Sequence, residues 1–251
     1  MNIFRPSVIL IGLIGLWQTV VSLSGAPPYI LPSPLAVAQA WITRPDLFIR
    51  HGAITMAEIL LGLTFGLVLG IASALVMAYF RPARQWLMPV LVVSQAVPVF
   101  ALAPILVLWV GYGMASKVVM ATLIIYFPVT AAFHDGLRRT EPGWVELARA
   151  MNGSRWAILR HVRIPAALPA LGSGLRVATA VAPIGAIVGE WVGSSSGLGY
   201  LMLHANARMQ IDIMFAALAT LALLAVALYF SVDFIVRHAI PWQPDSHPNE
   251  S

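Results

Sequence analysis

The sequence contains no cysteine among its 251 residues. Disulfide bonds, thiolate zinc sites, iron–sulfur clusters and cysteine nucleophiles are therefore excluded. Charge is also scarce, since 10% of the residues are Asp, Glu, Lys or Arg, against about 25% in an ordinary soluble domain. In their place, 59% of the residues are hydrophobic and the mean hydropathy is +0.84. A soluble domain of this length could not bury so much apolar surface, so the composition predicts a membrane protein.

The formal net charge of +5 comes from 15 basic and 10 acidic side chains. In a soluble protein a basic balance would point to nucleic acid. Here the charge lies in the connections between long apolar runs, where Lys and Arg set the orientation of a membrane protein. We therefore expect the net positive charge to reflect orientation in the lipid bilayer and not the binding of nucleic acid.

Six stretches are long and apolar enough to cross a hydrocarbon core of about 30 Å, which takes about 20 helical residues. They cover residues 7–24, 57–80, 86–110, 116–135, 170–192 and 213–236. This pattern predicts an all-α polytopic membrane protein with six transmembrane helices, in which residues 1–251 form a single domain. The first stretch also fits a cleaved signal peptide, because Arg5 precedes it and small residues follow. Its uncharged length favours a retained span.

The basic residues of the connections predict the orientation of the chain. With the N-terminus inside, ten of the 15 lie on the cytoplasmic side and Arg176 lies within a span. The four on the outer side are Arg44, Arg50, Lys117 and Arg208. This bias predicts that both termini are cytoplasmic.

The longer outer connection, residues 25–56, begins with prolines that favour extended backbone. After them, residues 35–50 are predicted to form a helix on the membrane surface. Val37, Trp41 and Phe48 would then be directed towards lipid.

The long cytoplasmic connection, residues 136–168, is the most informative segment. Apolar residues at helical spacing predict a short helix over 146–151. Asn152-Gly153 is expected to break it, because both residue types tolerate the left-handed conformation. Ser154 is placed to cap a second helix over 155–162, which Pro165 and Pro169 are expected to end. The prediction is therefore two short helices around a tight turn beside the membrane.

Apolar side chains on the second of these helices, among them Trp156 and Leu159, are out of place in a solvated loop. A bias towards positive charge on the inside explains the arginines of this segment but not the apolar residues. A basic helix pair that exposes apolar side chains is expected to bind lipid head groups or a cytoplasmic protein.

The same segment resembles the EAA motif of the membrane permeases of bacterial ABC importers. The matching positions are Glu146-Leu147-Ala148, Asn152-Gly153 and Val162-Arg163-Ile164-Pro165, and their spacing agrees throughout. The chain departs from the motif by Leu147 for its first Ala, Asn152 for its Gly, Val162 for Ile and Ile164 for Leu.

Three further runs resemble one branch of that family, which includes the permeases for nitrate, taurine, aliphatic sulfonates and thiamine pyrimidine precursors. These runs are Leu-Pro-Ser-Pro at 31–34, Leu-Trp-Val-Gly at 108–111 and Ser-Gly-Leu-Gly-Tyr at 196–200. The resemblance therefore extends over nearly the whole chain.

The resemblance implies that residues 136–168, the coupling segment, dock on a separate ATP-binding subunit and transmit its closure to the spans. The residues that the motif assigns to this contact are Glu146, Leu147, Ala148, Arg149, Met151, Asn152, Gly153, Trp156, Ile164 and Pro165. The implied partners are two ATP-binding subunits, a second copy of this chain, and a binding protein that delivers solute from outside the bacterial inner membrane. The path would lie between the two copies.

The sequence has no G-x-x-x-x-G-K-[ST] motif for nucleotide phosphates. ATP and magnesium are therefore expected in the partner subunit. We expect no catalytic residue, cofactor or metal ion in this chain, and no enzymatic activity of its own.

Two stripes of glycines at four-residue spacing would allow close helix packing. The stripes are Gly62, Gly66 and Gly70 in the second span and Gly185, Gly189 and Gly193 in the fifth. From the sequence, packing within one chain and packing at a dimer seam or moving gate both remain open.

Four residues within spans are candidates for the solute path: Gln95, Pro98, Pro183 and Glu190. A charged residue inside a span indicates a functional site. Glu190 equally fits a structural partner for an arginine or for backbone amides.

The solute is expected to be a thiamine pyrimidine precursor, with a sulfonate, taurine or nitrate as the alternative. Residues 189–193, Gly-Glu-Trp-Val-Gly, resemble the pyrimidine-precursor permeases. In addition, Glu58 and Glu190 at the outer ends of their spans would suit a cationic or amine-bearing solute better than an anion.

Other classes of protein are less well supported by the sequence. An ion-coupled secondary transporter would need intramembrane acids and often repeated halves, whereas Glu190 is the single candidate and no repeat is visible. A membrane hydrolase is indicated by G-x-S-x-G at 193–197, but that motif requires a strand before the serine. A scaffold without transport would have no ATPase partner.

Overall fold

A computed structural model describes residues 4–242. In this range the chain forms eleven α-helices and one π-helical turn, Leu159–Arg163. The helices are α1 (Phe4–Ser24), α2 (Pro34–Thr43), α3 (Pro45–Tyr79), α4 (Arg81–Ala96), α5 (Val99–Val110), α6 (Met114–Arg138), α7 (Pro142–Ala150), α8 (Arg155–Ile158), α9 (Ile164–Gly193), α10 (Leu198–Ala207) and α11 (Ile211–Ala239).

Four helical stretches are long and apolar enough to cross a membrane: α3, α6, α11 and the continuous stretch Arg155–Gly193. The pair α4 and α5 makes a fifth if it counts as one span. The prediction of an all-helical, multi-pass chain is therefore confirmed. The remaining predicted span corresponds to α1, whose part Ile11–Ser24 is apolar but shorter than the others, so the sixth span stays a prediction.

The predicted surface helix over 35–50 is wrong in its extent and its orientation. Pro45 cannot continue α2 and instead occupies the first turn of α3. Val37 is 7% exposed and Phe48 is fully buried, because both pack into an apolar cluster with α10 and α11. Trp41 is partly exposed, and its indole N–H donates to Thr220 Oγ1 at 3.0 Å. The segment is thus part of the helical bundle.

The third predicted span is bent by 104° between α4 and α5. Of its three prolines, only Pro98 lies at the break, whereas Pro89 and Pro104 are inside helices. The bend opens a space beside α6 and α9 that forms part of the candidate site.

Pro165 and Pro169 do not end the second cytoplasmic helix, contrary to the prediction. The helix continues from Arg155 to Gly193 over 39 residues. The wider turn Leu159–Arg163 lets Ile164 N–H bond to the Leu159 carbonyl, which accommodates Pro165 and its missing N–H group. At about 1.5 Å per residue this helix is about 58 Å long.

Both glycine stripes lie at contacts inside this chain, where α6 packs between α3 and α9. Gly62, Gly66 and Gly70 face Ala121, Ile125 and Val129 of α6. From the other side, Gly185 faces Ala121 and Gly189 faces Lys117, while Gly193 faces Val107 of α5. Backbone-to-side-chain contacts of this kind need glycine, because any Cβ atom would displace the neighbouring helix.

Gly66→Ala is expected to destabilise the chain. The added Cβ would lie 2.5 Å from Ile125 Cγ2 and 2.8 Å from Ile125 Cβ. Overpacking costs about 1–3 kcal/mol, which exceeds the gain of about 1 kcal/mol in helix propensity. We expect the midpoint of thermal unfolding in detergent to fall by several degrees. Gly15→Ala in α1, with no atom within 4 Å of the new Cβ, is the matched control and should not lower it; equal midpoints would refute the packing argument.

Candidate functional site

The turn of the coupling segment is formed by Asn152 and Gly153 as the sequence indicates. Asn152 has φ of 59°, and Gly153 N–H donates to the Ala148 carbonyl at 2.9 Å. A Cβ atom at 153 would lie 2.7 Å from that same oxygen, so glycine is required there by a close approach. Ser154 Oγ then accepts Ala157 N–H at 3.1 Å and caps α8. Local chemistry therefore fixes the angle between α7 and α8.

The coupling segment exposes several apolar side chains. Leu147 is 63% exposed and Met151 is 76% exposed, and Trp144 and Trp156 are also more than half exposed. Leu147 and Met151 line an apolar groove of about 800 Å³ that continues past Pro165 to Trp242. An exposed apolar surface with a groove of this size is typical of a protein docking site.

A bidentate contact joins the coupling segment to the bundle. Arg163 donates through Nε and Nη2 to the Leu137 carbonyl of α6, at 3.0 and 2.7 Å. That carbonyl belongs to the last turn of its helix, where backbone acceptors lack intrahelical partners. The second half of the segment continues directly into α9. The coupling segment is therefore connected both to α6 and to α9.

An apolar cavity of about 750 Å³, here called the chamber, lies between α4, α5, α6 and α9. None of the side chains that line it is charged, and its polar members are Ser94, Gln95 and Tyr126. Gln95 thus lines the chamber, and its role in the solute path stays a prediction. Pro98 forms the bend beside the chamber, and Pro183 is buried on α9 between lining residues Val181 and Ile184.

Glu190 lies elsewhere, at the end of the spans opposite to the coupling segment, and is 1% exposed. Its Oε2 accepts the backbone N–H groups of Gly199 and Tyr200 in the first turn of α10. Its Oε1 accepts the Thr55 hydroxyl at 2.6 Å, while Thr55 Oγ1 accepts Leu198 N–H at 2.8 Å. Orphan donors at a helix start favour a carboxylate. In this chain Glu190 therefore fixes α10 to α3.

Glu58 lies next to Glu190, Lys117 lies next to Glu58, and neither of the two has the position that the sequence predicts. Glu58 is predicted at the outer end of its span, but it is the fourteenth residue of α3 and is 1% exposed. The sequence predicts Lys117 in an outer connection, but the residue is 3% exposed inside the bundle. Its Nζ lies 3.9 Å from Glu58 Oε1. The Glu58 carboxyl group also faces Glu190. We call Thr55, Glu58, Lys117, Glu190 and the first-turn amides of α10 the Glu190 network.

The two glycines of the 196–200 run are explained by this network. A Cβ atom at Gly197 would collide with the Glu190 carboxylate, and one at Gly199 would lie 2.9 Å from Glu190 Oε2. Gly197 also has φ of 105° and donates its N–H to His51 Nδ1 at 3.0 Å. The Ser-Gly-Leu-Gly-Tyr run at 196–200 therefore packs around the buried Glu190 carboxylate.

Arg176, which the sequence predicts inside a span, forms an ion pair with a residue of another helix. Its Nε lies 2.6 Å from Asp233 Oδ1 of α11, and Arg237 contacts the other oxygen of the same carboxylate at 2.9 Å. These charges hold α9 to α11 outside the chamber.

Comparisons with known proteins identify the family of this chain. Residues 66–243 match the family described as binding-protein-dependent transport system inner membrane component. A probable ABC transporter permease protein of Haemophilus influenzae is 55% identical over 95% of this chain and 98% of its own length. The riboflavin transport system permease protein RibX of Chloroflexus aurantiacus is 38% identical over 94% of this chain and 89% of its own length.

The formylaminopyrimidine transport permease protein ThiX of Halalkalibacterium halodurans is 35% identical, over 95% of this chain and 96% of its own length. These matches span almost the full length of each protein. The chain therefore belongs to the inner membrane components of binding-protein-dependent transport systems, as the permease subunit of an ABC importer.

Proposed function

We propose that two copies of this chain form the solute path of an importer driven by two separate cytoplasmic ATP-binding subunits. The observation that carries the proposal is the continuous helix Arg155–Gly193. It begins at the exposed apolar surface around Met151, and its residues Val177 to Val188 form one wall of the chamber. ATP, magnesium and hydrolysis belong to the partner, and this chain supplies the mechanical connection.

The proposed orientation places both termini and the coupling segment in the cytoplasm. Because Lys117 is buried inside the bundle, the outer connections carry three basic residues and the cytoplasmic side carries ten. The excess of basic residues on the cytoplasmic side is therefore larger than the sequence alone indicates. The Glu190 network then lies at the outer end, where a binding protein would deliver solute.

Affinity purification in mild detergent, followed by mass spectrometry, tests the assembly. We expect an ATPase subunit to co-purify with the full chain and to be lost when residues 149–160 are deleted. A well-inserted chain that never retains an ATPase, in detergent or in lipid nanodiscs, would favour an ion-coupled secondary transporter or a scaffold instead.

For the solute, the chamber supports a planar nitrogen heterocycle such as a thiamine pyrimidine precursor. An anion would lose its hydration there without meeting a lining cation, which is costly. A flat ring can stack on Phe100 and Phe127, and the Gln95 amide can both donate to and accept from ring nitrogens. The names of ThiX and RibX refer to nitrogen heterocycles as well.

Glu58 and Glu190 do not support a cationic or amine-bearing solute. Glu58 and Glu190 are enclosed with Lys117 and the α10 amides, so they do not offer a cation site to the solute in this chain. Sulfonates, taurine and nitrate remain the alternative solutes. Preferential uptake of one of them by the purified complex in liposomes would refute the heterocycle.

Gln95→Leu is expected to lower the uptake of a pyrimidine solute about tenfold, because one hydrogen bond in an apolar site contributes about 1.5 kcal/mol. The measurement is uptake by the reconstituted complex with its binding protein. Gln85→Leu changes a glutamine of the same helix outside the chamber and should leave uptake unchanged. Equal uptake by the two variants would remove Gln95 from the path.

A further inference from the structure

Five arginines line one cavity between the coupling segment and the ends of α3 and α6. The cavity has a volume of about 450 Å³. The guanidinium groups belong to Arg81, Arg138, Arg149, Arg155 and Arg163, and the single carboxylate in the lining belongs to Glu146. Among residues 4–242, none of the five lies within 4 Å of a carboxylate. The cavity therefore has a concentrated positive charge.

The arginines are held together at an electrostatic cost. Arg163 is partly buried and fixed by its two hydrogen bonds to the Leu137 carbonyl, so it cannot turn away. The charge of Arg149 is close enough to repel it. Like charges in a partly enclosed cavity repel more strongly than they do in water. An anion that enters the cavity would relieve this repulsion.

Guanidinium groups select the chemistry of that anion. Their planar forks match the oxygens of a phosphate group, with which they form bidentate hydrogen bonds. Several arginines that converge on one cavity can surround all the oxygens of a single phosphate. A carboxylate offers two oxygens and would leave most of these donors without a partner.

Aromatic side chains beside the cavity indicate where the phosphate comes from. Tyr79 lines the cavity, and its neighbour Phe80 is exposed at the junction of α3 and α4. Trp86 is exposed in the second turn of α4. Tyr79 also packs edge-on against Trp156, which is exposed too. Exposed aromatic residues at the ends of spans lie at the level of the lipid head groups.

We propose that this cavity binds a phosphate group, supplied by the head group of an anionic phospholipid in the cytoplasmic leaflet. The proposal rests on the proposed orientation of the chain. The ATPase subunit is the weaker candidate, because Leu147 and Met151 face a separate groove while Arg81 and Arg138 adjoin the ends of spans. A lipid in the cavity would contact α3, α6 and the coupling segment together.

Native mass spectrometry of the full chain, purified with its partners, tests this site. Phosphatidylglycerol and phosphatidylcholine with the same acyl chains are added in equal amounts. We expect the wild type to retain phosphatidylglycerol preferentially. The double variant R81Q/R138Q should bind it about 30-fold more weakly, since each basic residue near an anionic surface contributes about fivefold. R139Q, next to Arg138 but outside the cavity lining, is the control and should bind as the wild type does.

A second variant and a second anion separate the alternatives. R81K/R138K keeps the charge without the fork and should bind with intermediate affinity. Equal retention of the two lipids by the wild type, or no change in R81Q/R138Q, would overturn the site. Inorganic phosphate that binds without any preference for the anionic lipid would overturn the lipid as its source. Unchanged lipid binding with loss of the ATPase in R81Q/R138Q would assign the cavity to the subunit contact. Because lipid retention is measured without transport, failure here leaves the proposed importer untouched.

Discussion

Glu190→Leu is expected to lower the midpoint of thermal unfolding of the detergent-solubilised chain by about 10 °C. The change removes the acceptor of the N–H groups of Gly199 and Tyr200. It also removes one acceptor of the Thr55 hydroxyl, which keeps the His51 carbonyl at 3.2 Å as another. An N–H group left without a partner costs about 1–3 kcal/mol, so the loss of both costs about 2–6 kcal/mol. For a chain of this length, each 1 kcal/mol corresponds to about 2–4 °C.

Two further variants distinguish the network from a general effect of removing charge. Glu190→Gln keeps one acceptor oxygen but turns an NH₂ group towards backbone N–H groups, so we expect an intermediate midpoint. Glu141→Leu removes an exposed acid that makes no side-chain cap and should leave the midpoint unchanged. A Glu190→Leu midpoint equal to that of the wild type would show that α10 does not depend on this carboxylate. An unchanged midpoint with an altered solute preference would return Glu190 to the path.

Glu146→Arg is expected to lower ATP-driven transport at least tenfold without reducing membrane insertion. Glu146 is exposed in α7 of the coupling segment. Reversing its charge places a cation on the proposed docking surface and adds a further cation to the arginine-lined cavity. Like charges brought together at an interface cost several kcal/mol. The measurements are uptake by the reconstituted complex and the amount of co-purifying ATPase.

Glu141→Arg is the matched control for this experiment. It makes the same change of charge five residues away, at the N-cap of α7 and outside the motif, so transport should stay close to that of the wild type. If Glu146→Arg inserts well and retains both its ATPase and its transport, the coupling assignment is wrong. If both variants lose transport equally, the effect is one of overall charge.

Local chemistry explains why much of the fold could be predicted. The apolar spans, the left-handed Asn152 and the cap at Ser154 each depend on residues within a few positions of one another. The predicted end at Pro165 failed because a π turn, stabilised by its continuation into α9, accommodates the missing N–H group. Pro169 lies inside α9, which packs along α6.

The Glu190 network could not be derived from the sequence alone, although its parts were visible. Thr55 is 135 positions from Glu190, and no periodicity relates the two. Lys117 resembled an ordinary connection residue because it follows a glycine-rich turn at the start of a span. Only packing brings α3, α6 and α9 together and makes one buried cluster of these charges. The clue in the sequence was the pair of glycines at 197 and 199, which leave space for a neighbour that the sequence does not name.

The 39-residue helix from Arg155 to Gly193 has a consequence for the permeability barrier of the cell. One end is fixed to α6 through Arg163, and the other holds α10 through Glu190. A membrane protein whose two mouths moved independently would sometimes open both and dissipate the ion gradients across the bilayer. In the importer that we propose, this single helix would reach both mouths, so a tilt that widens one is expected to narrow the other. Pro169 and Pro183 are the positions at which the helix can flex, and excess flexibility there would appear first as leakage of small ions.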